Sequence, residues 1–143
     1  MRKISAETWI HLSLAFLWIY QGLVPKLLFI NADEIAVWQY LGLSLSQAVV
    51  AGQAAGVAEI LFGMLLLLSR HRYLHYLNIL GLLGLLLLIG FILPDTLIRA
   101  FNPVALNISM MSLSIIYLAL MPQQSKQTTH PSFGSQTHDT TLL

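Results

Sequence analysis

Cysteine is missing altogether from the 143 residues. A disulfide framework, a thiolate metal site and dithiol redox chemistry by this chain are therefore excluded. Charge is nearly as scarce: 9% of residues are Asp, Glu, Lys or Arg, against about a quarter in a soluble domain. The formal net charge is +1 and no Lys/Arg stripe exists, so nucleic acid is not an expected partner, because phosphate recognition needs a basic surface. Also absent is the apolar/polar alternation over about ten residues that marks a transmembrane β-strand. There is no haem or iron–sulfur motif, and no internal repeat of the inverted kind seen in transporters.

Apolar sequence fills the space. Hydrophobic residues make up 57% of the chain and the mean hydropathy is +0.74. Leu-rich windows run approximately from Trp9 to Ile30, Ala51 to Ser69, Tyr73 to Leu93 and Pro103 to Met121. Each is near the ~20 residues that cross roughly 30 Å of hydrocarbon at 1.5 Å per residue. The expected fold is all-α, a polytopic membrane protein whose residues 1–121 form a four-helix transmembrane bundle. Residues 122–143, rich in Gln, Ser, Thr and His, have little to bury and are expected to be a disordered tail. Met1-Arg2-Lys3 precedes an apolar run too long for a signal-peptide core, with no small-x-small site closing it, so this run is expected to be a retained first span.

The basic residues orient the bundle. Arg2 and Lys3 before the first span, Arg70 and Arg72 in the tight connection "SRHRY", and Lys126 after the fourth span fall on one side. The positive-inside rule then places both termini in the cytoplasm of a cell (inner) membrane protein. The other side receives the loop from Asn31 to Val50 and the connection "PDTLIRAFNP", where Asp95 and Arg99 are spaced to pair locally. In "DEIAVWQYL", Trp38 and Tyr40 suit the headgroup level, so a short interfacial helix is expected in this outer loop.

The polar residues inside the spans carry the functional signal. Glu59 lies near the middle of "AGQAAGVAEILFGMLLLL", where a charge costs roughly 2.5–3.5 kcal/mol on insertion scales. Gly52, Gly56, Glu59 and Gly63 recur at helical spacing, so small residues share its face and admit a neighbouring helix. In "YQGLVPKLLFI", Lys26 lies about seven residues past the centre of the first span, hence ~10 Å outward at 1.5 Å per residue. The two helices run in opposite directions, so Lys26 leans inward and Glu59 outward. Two readings follow: an ion pair inside the bundle, or a lysine that snorkels to the interface beside a glutamic acid that only glues helices. Pro25 removes a backbone hydrogen bond and is expected to kink the helix, freeing the carbonyl of Gln21. Asn107 enters from the outer side at a depth similar to Lys26, placing it in reach of a polar cluster with Gln21 and Glu59. His11 reads as interfacial, His75, Asn78, Gly81 and Gly84 as packing residues, and two histidines on separate helices are not a metal site without further ligands.

Gly22-Leu23-Val24-Pro25-Lys26, Gly56-Val57-Ala58-Glu59, and Asn102-Pro103 followed by Asn107 resemble the pattern of the DoxX-like family of small four-helix membrane proteins. The resemblance covers roughly Trp9 to Met121. It implies a bundle with Pro25, Lys26 and Glu59 in the family's motif positions. It also implies a wider group that includes subunits linked to quinone-coupled sulfur oxidation, subunits of oxidative-stress complexes, and assembly helpers. The absence of cysteine separates this chain from redox-active relatives of similar shape. The expectation is a membrane subunit of unassigned activity, not a free-standing enzyme, that contacts a quinone or serves as an assembly partner. Lys26 and Asn107 would donate to a carbonyl while Glu59 carries a proton. The chain supplies no cofactor of its own, and its expected partners are the bilayer, another membrane or redox protein, or a second copy. The alternative is a small transporter or proton pathway built on Glu59.

Overall fold

The computed structural model describes residues 5–98 and 102–121. The expected disordered tail and the expected Asp95–Arg99 contact lie outside the described residues, as do Arg2, Lys3 and Lys126.

Helix α1 (Ala6–Leu23) starts at Ser5, whose hydroxyl accepts from the Thr8 amide. It continues into a π-turn, Val24–Leu28. Pro25 has no N–H for the carbonyl four residues back. A turn wider by one residue resolves this, and the Phe29 amide donates to the Val24 carbonyl at 2.9 Å. The lost hydrogen bond at Pro25 is thus absorbed by a π-turn. The chain bends after Leu28, where an 86° angle separates Ala6–Leu28 from α2 (Ala32–Tyr40). Asn31 caps α2 by accepting from the Asp33 amide, and the bend turns α2 away from the first span's axis as an interfacial helix requires.

Helix α3 (Leu45–Leu68) begins well before Ala51, because Ser44 and Gln47 form a reciprocal capping box. Helix α4 (Arg72–Ile92) is followed by a 3-10 turn, Pro94–Ile98. Asn102 caps α5 (Pro103–Leu120) by accepting from the Ala105 amide, with Pro103 in the first turn. Helices α3, α4 and α5 are each long and apolar enough to cross a membrane, and the bent pair α1–α2 brings the count to four when taken as one span. The described residues contain no strand.

α1 packs most extensively on α3 and α4 on α5; α1 joins the pairs through α5, and α2 lies against α3. Lipid tails are as apolar as Leu, so helices associate in a membrane through close packing. Glycine supplies it between α1 and α3. A Cβ on Gly56 would lie 2.7 Å from the Gly22 carbonyl oxygen, and one on Gly63 would lie 2.9 Å from the Ala15 carbonyl oxygen. A Cβ on Gly22 would collide with the Gly56 carbonyl. The expected packing at Gly81 and Gly84 does not occur among the described residues, for a Cβ on either would meet nothing within 4 Å.

These contacts separate the glycines experimentally. Gly22→Ala and Gly56→Ala each force two backbones apart and should cost about 1–3 kcal/mol, read as a lower Tm in detergent. Gly81→Ala and Gly84→Ala meet open space and should leave Tm unchanged or higher, since Ala is the better helix former by about 1 kcal/mol.

Candidate functional site

The glycine contact fixes what lies beside it. The two helices are antiparallel, and a Cβ on Gly56 would lie 2.8 Å from Lys26 Cβ while one on Gly22 would lie 3.1 Å from Glu59 Cβ, so each charged side chain rises beside the other helix's glycine and the two reach towards each other across the contact. Lys26 Nζ is 2.6 Å from Glu59 Oε1 and 3.0 Å from Glu34 Oε1. The three side chains are 14–18% exposed: Lys26 16%, Glu59 14%, Glu34 18%. The structure thus brings Lys26 and Glu59 together, with Glu34 reaching them from the first turn of α2.

One ammonium facing two carboxylates leaves a negative charge in excess when all three are ionised. An ammonium has three donor hydrogens, and two are directed at the carboxylates. Glu59 Oε2 is buried and has no hydrogen-bond partner. Beside the cluster lies a cavity of about 10 Å³, lined by residues including Pro25, Lys26, Glu34, Gly52 and Gln53, close to the room that one water molecule needs. A Cβ on Gly52 would sit 3.6 Å from Glu34 Oε1, so this glycine borders the carboxylate without forcing its position.

The other expected members lie elsewhere. Gln21 Nε2 donates to Met110 Sδ at 3.4 Å, tying α1 to α5. Asn107 is buried, at 2% exposure, and its Nδ2 has no partner. Among the described residues no hydrogen bond joins Gln21 or Asn107 to Lys26 or Glu59.

Two features escaped the sequence. Glu34 sits in what reads as an interfacial helix, although the Asn31 cap marks the bend that folds this helix back over Lys26. His11, expected at the interface, is instead buried at 4% exposure because the end of α3 needs it. The Leu66 carbonyl is among the last four of that helix, which lack an intrahelical donor, and His11 Nδ1 meets it at 3.1 Å. His75 and Tyr117 stack at 3.9 Å, with His11 edge-on to both.

The family model described as the DoxX-like family matches residues 15–115. The chain belongs to the DoxX-like family. The matched stretch contains Lys26, Glu34, Glu59 and Asn107, while His11 and Tyr117 lie outside it. No curated protein and no solved structure matches this DoxX-like chain. Its helices and its family establish a membrane protein.

A double-mutant cycle measures the ion pair. Lys26→Met alone strands Glu59 and Glu34, a loss of about 3–5 kcal/mol for a buried pair, whereas Glu59→Gln leaves Lys26 paired with Glu34 and should cost less. The combined variant should recover much of it, giving a coupling energy well above the ~0.5 kcal/mol of independent sites. Glu34→Gln should cost less than Glu59→Gln, because Lys26 keeps its shorter contact.

Proposed function

We propose that this DoxX-like protein is an accessory subunit of a membrane redox assembly that engages a quinone ring at the Lys26–Glu34–Glu59 cluster. The observation that carries this reading is the buried Glu59 Oε2, unpartnered beside an ammonium with a third donor hydrogen. A donor and a proton acceptor side by side suit a ring that is a carbonyl in one state and a hydroxyl in the other. Lys26 would donate to the ring carbonyl on this side, and Glu59 would accept the proton of the hydroxyl there when the partner withdraws two electrons, the proton of the opposite hydroxyl leaving on the partner's side. The family's wider membership of quinone-linked subunits supports the same reading. The excess carboxylate supports it too, since a proton that leaves a quinol needs an acceptor already in place.

We assign the cluster to the outer half of a bacterial-type inner membrane, with both termini cytoplasmic, on the distribution of basic residues. A reporter within the connection Ser69–Arg72 should read cytoplasmic. One at Gly42, which has φ 93° and open space where a Cβ would stand, should read external. The reverse pattern overturns the orientation.

Quinone contact is tested by titrating the purified protein in mild detergent with a short-chain benzoquinone, followed by quenching of tryptophan fluorescence. Lys26→Met and Glu59→Gln should each weaken binding about tenfold or more, as expected for a lost charge-assisted hydrogen bond. Equal quenching in wild type and both variants overturns the proposal.

A further inference from the structure

The other half of the bundle holds a second polar group, and its hydrogen bonds leave little freedom. Trp18 Nε1 can only donate, and it lies 2.7 Å from Asn78 Oδ1. The amide nitrogen of Asn78 therefore faces the other way, donating to the Met110 carbonyl at 3.2 Å and to Ser114 Oγ at 2.9 Å. Ser109 and Ser112 on the same helix donate to the carbonyls four residues earlier. Ser114 instead lies 3.1 Å from His75 Nδ1. Among the described residues the Ser114 hydroxyl has no other acceptor for its proton, so that proton is assigned to His75 Nδ1 and the His75 ring proton to Nε2. His11 is set the opposite way. Its Nδ1 faces the Leu66 carbonyl at 3.1 Å, a group that only accepts, so the ring proton is on Nδ1 and Nε2 offers a lone pair.

Both Nε2 atoms are buried and without a hydrogen-bond partner. They belong to side chains at 4% and 0% exposure whose ring centroids are 5.0 Å apart. One is a donor and the other an acceptor. We propose that His11 and His75 form a binding site for a single hydroxyl group, which accepts from His75 Nε2–H and donates to His11 Nε2. Water and the hydroxyl of a lipid-soluble phenol or quinol share this chemistry. Tyr117 does not supply it: its hydroxyl donates to the Arg70 carbonyl at 3.2 Å, and its ring stacks on His75. The site is separate from the Lys26 cluster and stands whether or not that cluster binds a quinone.

The test is nitrogen-15 NMR of histidine-labelled full-length protein in phosphatidylethanolamine/phosphatidylglycerol discs. The chain has 5 histidines, and His11→Asn and His75→Asn assign the two signals. Asn places its amide near the position of Nδ1, so His11→Asn keeps the donor for Leu66 while deleting the acceptor. The expected result is opposite tautomers, Nδ1–H at His11 and Nε2–H at His75, with a through-space peak from the latter to an oxygen-bound proton. In His11→Asn the His75 Nε2–H should exchange about tenfold faster, as for a site that has lost one of two hydrogen bonds. Tyr117→Phe should leave both tautomers in place. Adding trimethylhydroquinone separates the sources: a peak that moves to the phenolic proton identifies a lipid-soluble hydroxyl, and one that stays at the water frequency identifies water. Identical tautomers overturn the proposal. So does a His75 Nε2–H with no oxygen-bound neighbour, its proton then being spent on the face of the His11 ring.

Discussion

The contact between the backbones of α1 and α3 at Gly22 and Gly56 governs the half of this molecule that carries Lys26 and Glu34. Helices in a bilayer gain nothing from hiding apolar surface from lipid, so their attraction depends on how closely they can approach. Here the approach is close enough that neither glycine has room for a methyl group. Lys26 lies beside Gly56 and Glu59 beside Gly22, so the same close approach lets the two side chains meet across the contact at 2.6 Å. The π-turn forced by Pro25 lies in this stretch of α1, and the bend that follows it delivers Glu34 to the same ammonium. A local rule at proline, a packing rule at glycine and a charge rule at lysine converge on one place.

The other half, around His11 and His75, is organised by a different constraint, the need to satisfy polar groups where no water is available. His11 and Tyr117 both donate to carbonyls at the α3–α4 connection, Leu66 and Arg70. Trp18, Asn78, Ser114 and His75 then form a chain in which each donor assignment dictates the next. These side chains come from α1, α4 and α5, so the network also fixes the rotation of three helices about their axes. Polar groups buried in this way set register, and the aliphatic contacts of Leu14, Leu66 and Leu82 fill the space between them.

Much of this was legible in the sequence where the signal was local or compositional. The apolar windows placed the spans, a short helix was expected around Trp38 and Tyr40 and α2 is found there, and Asn102-Pro103 marked the start of α5 as capping predicts. The pattern from Gly22 to Lys26 and from Gly56 to Glu59 pointed to the family. The start of α3 was missed because hydropathy outweighed a readable cap: Ser44-Leu45-Ser46-Gln47 is a capping-box sequence. Glu34 and the His11–His75 pair were not legible, since each depends on which helices become neighbours. The sequence identifies a buried histidine as costly, and only the fold shows that the end of another helix requires it.

The two polar sites bear differently on what the protein can do. His11 and Lys26 are fifteen residues apart on one continuous helical segment, about 22 Å at 1.5 Å per residue. From the histidines, the hydrogen-bonded chain proceeds through Ser114 and Asn78 and ends at the Trp18 indole. An indole N–H has no lone pair with which to accept a proton, and a carboxamide nitrogen holds its hydrogens. This chain therefore fixes geometry without passing protons along it. In the role proposed for the Lys26 cluster, a proton taken up at Glu59 therefore leaves from the same end of the bundle, towards a bound ring or a partner. That separation favours a subunit that handles protons locally for a redox partner over one that carries them across the membrane.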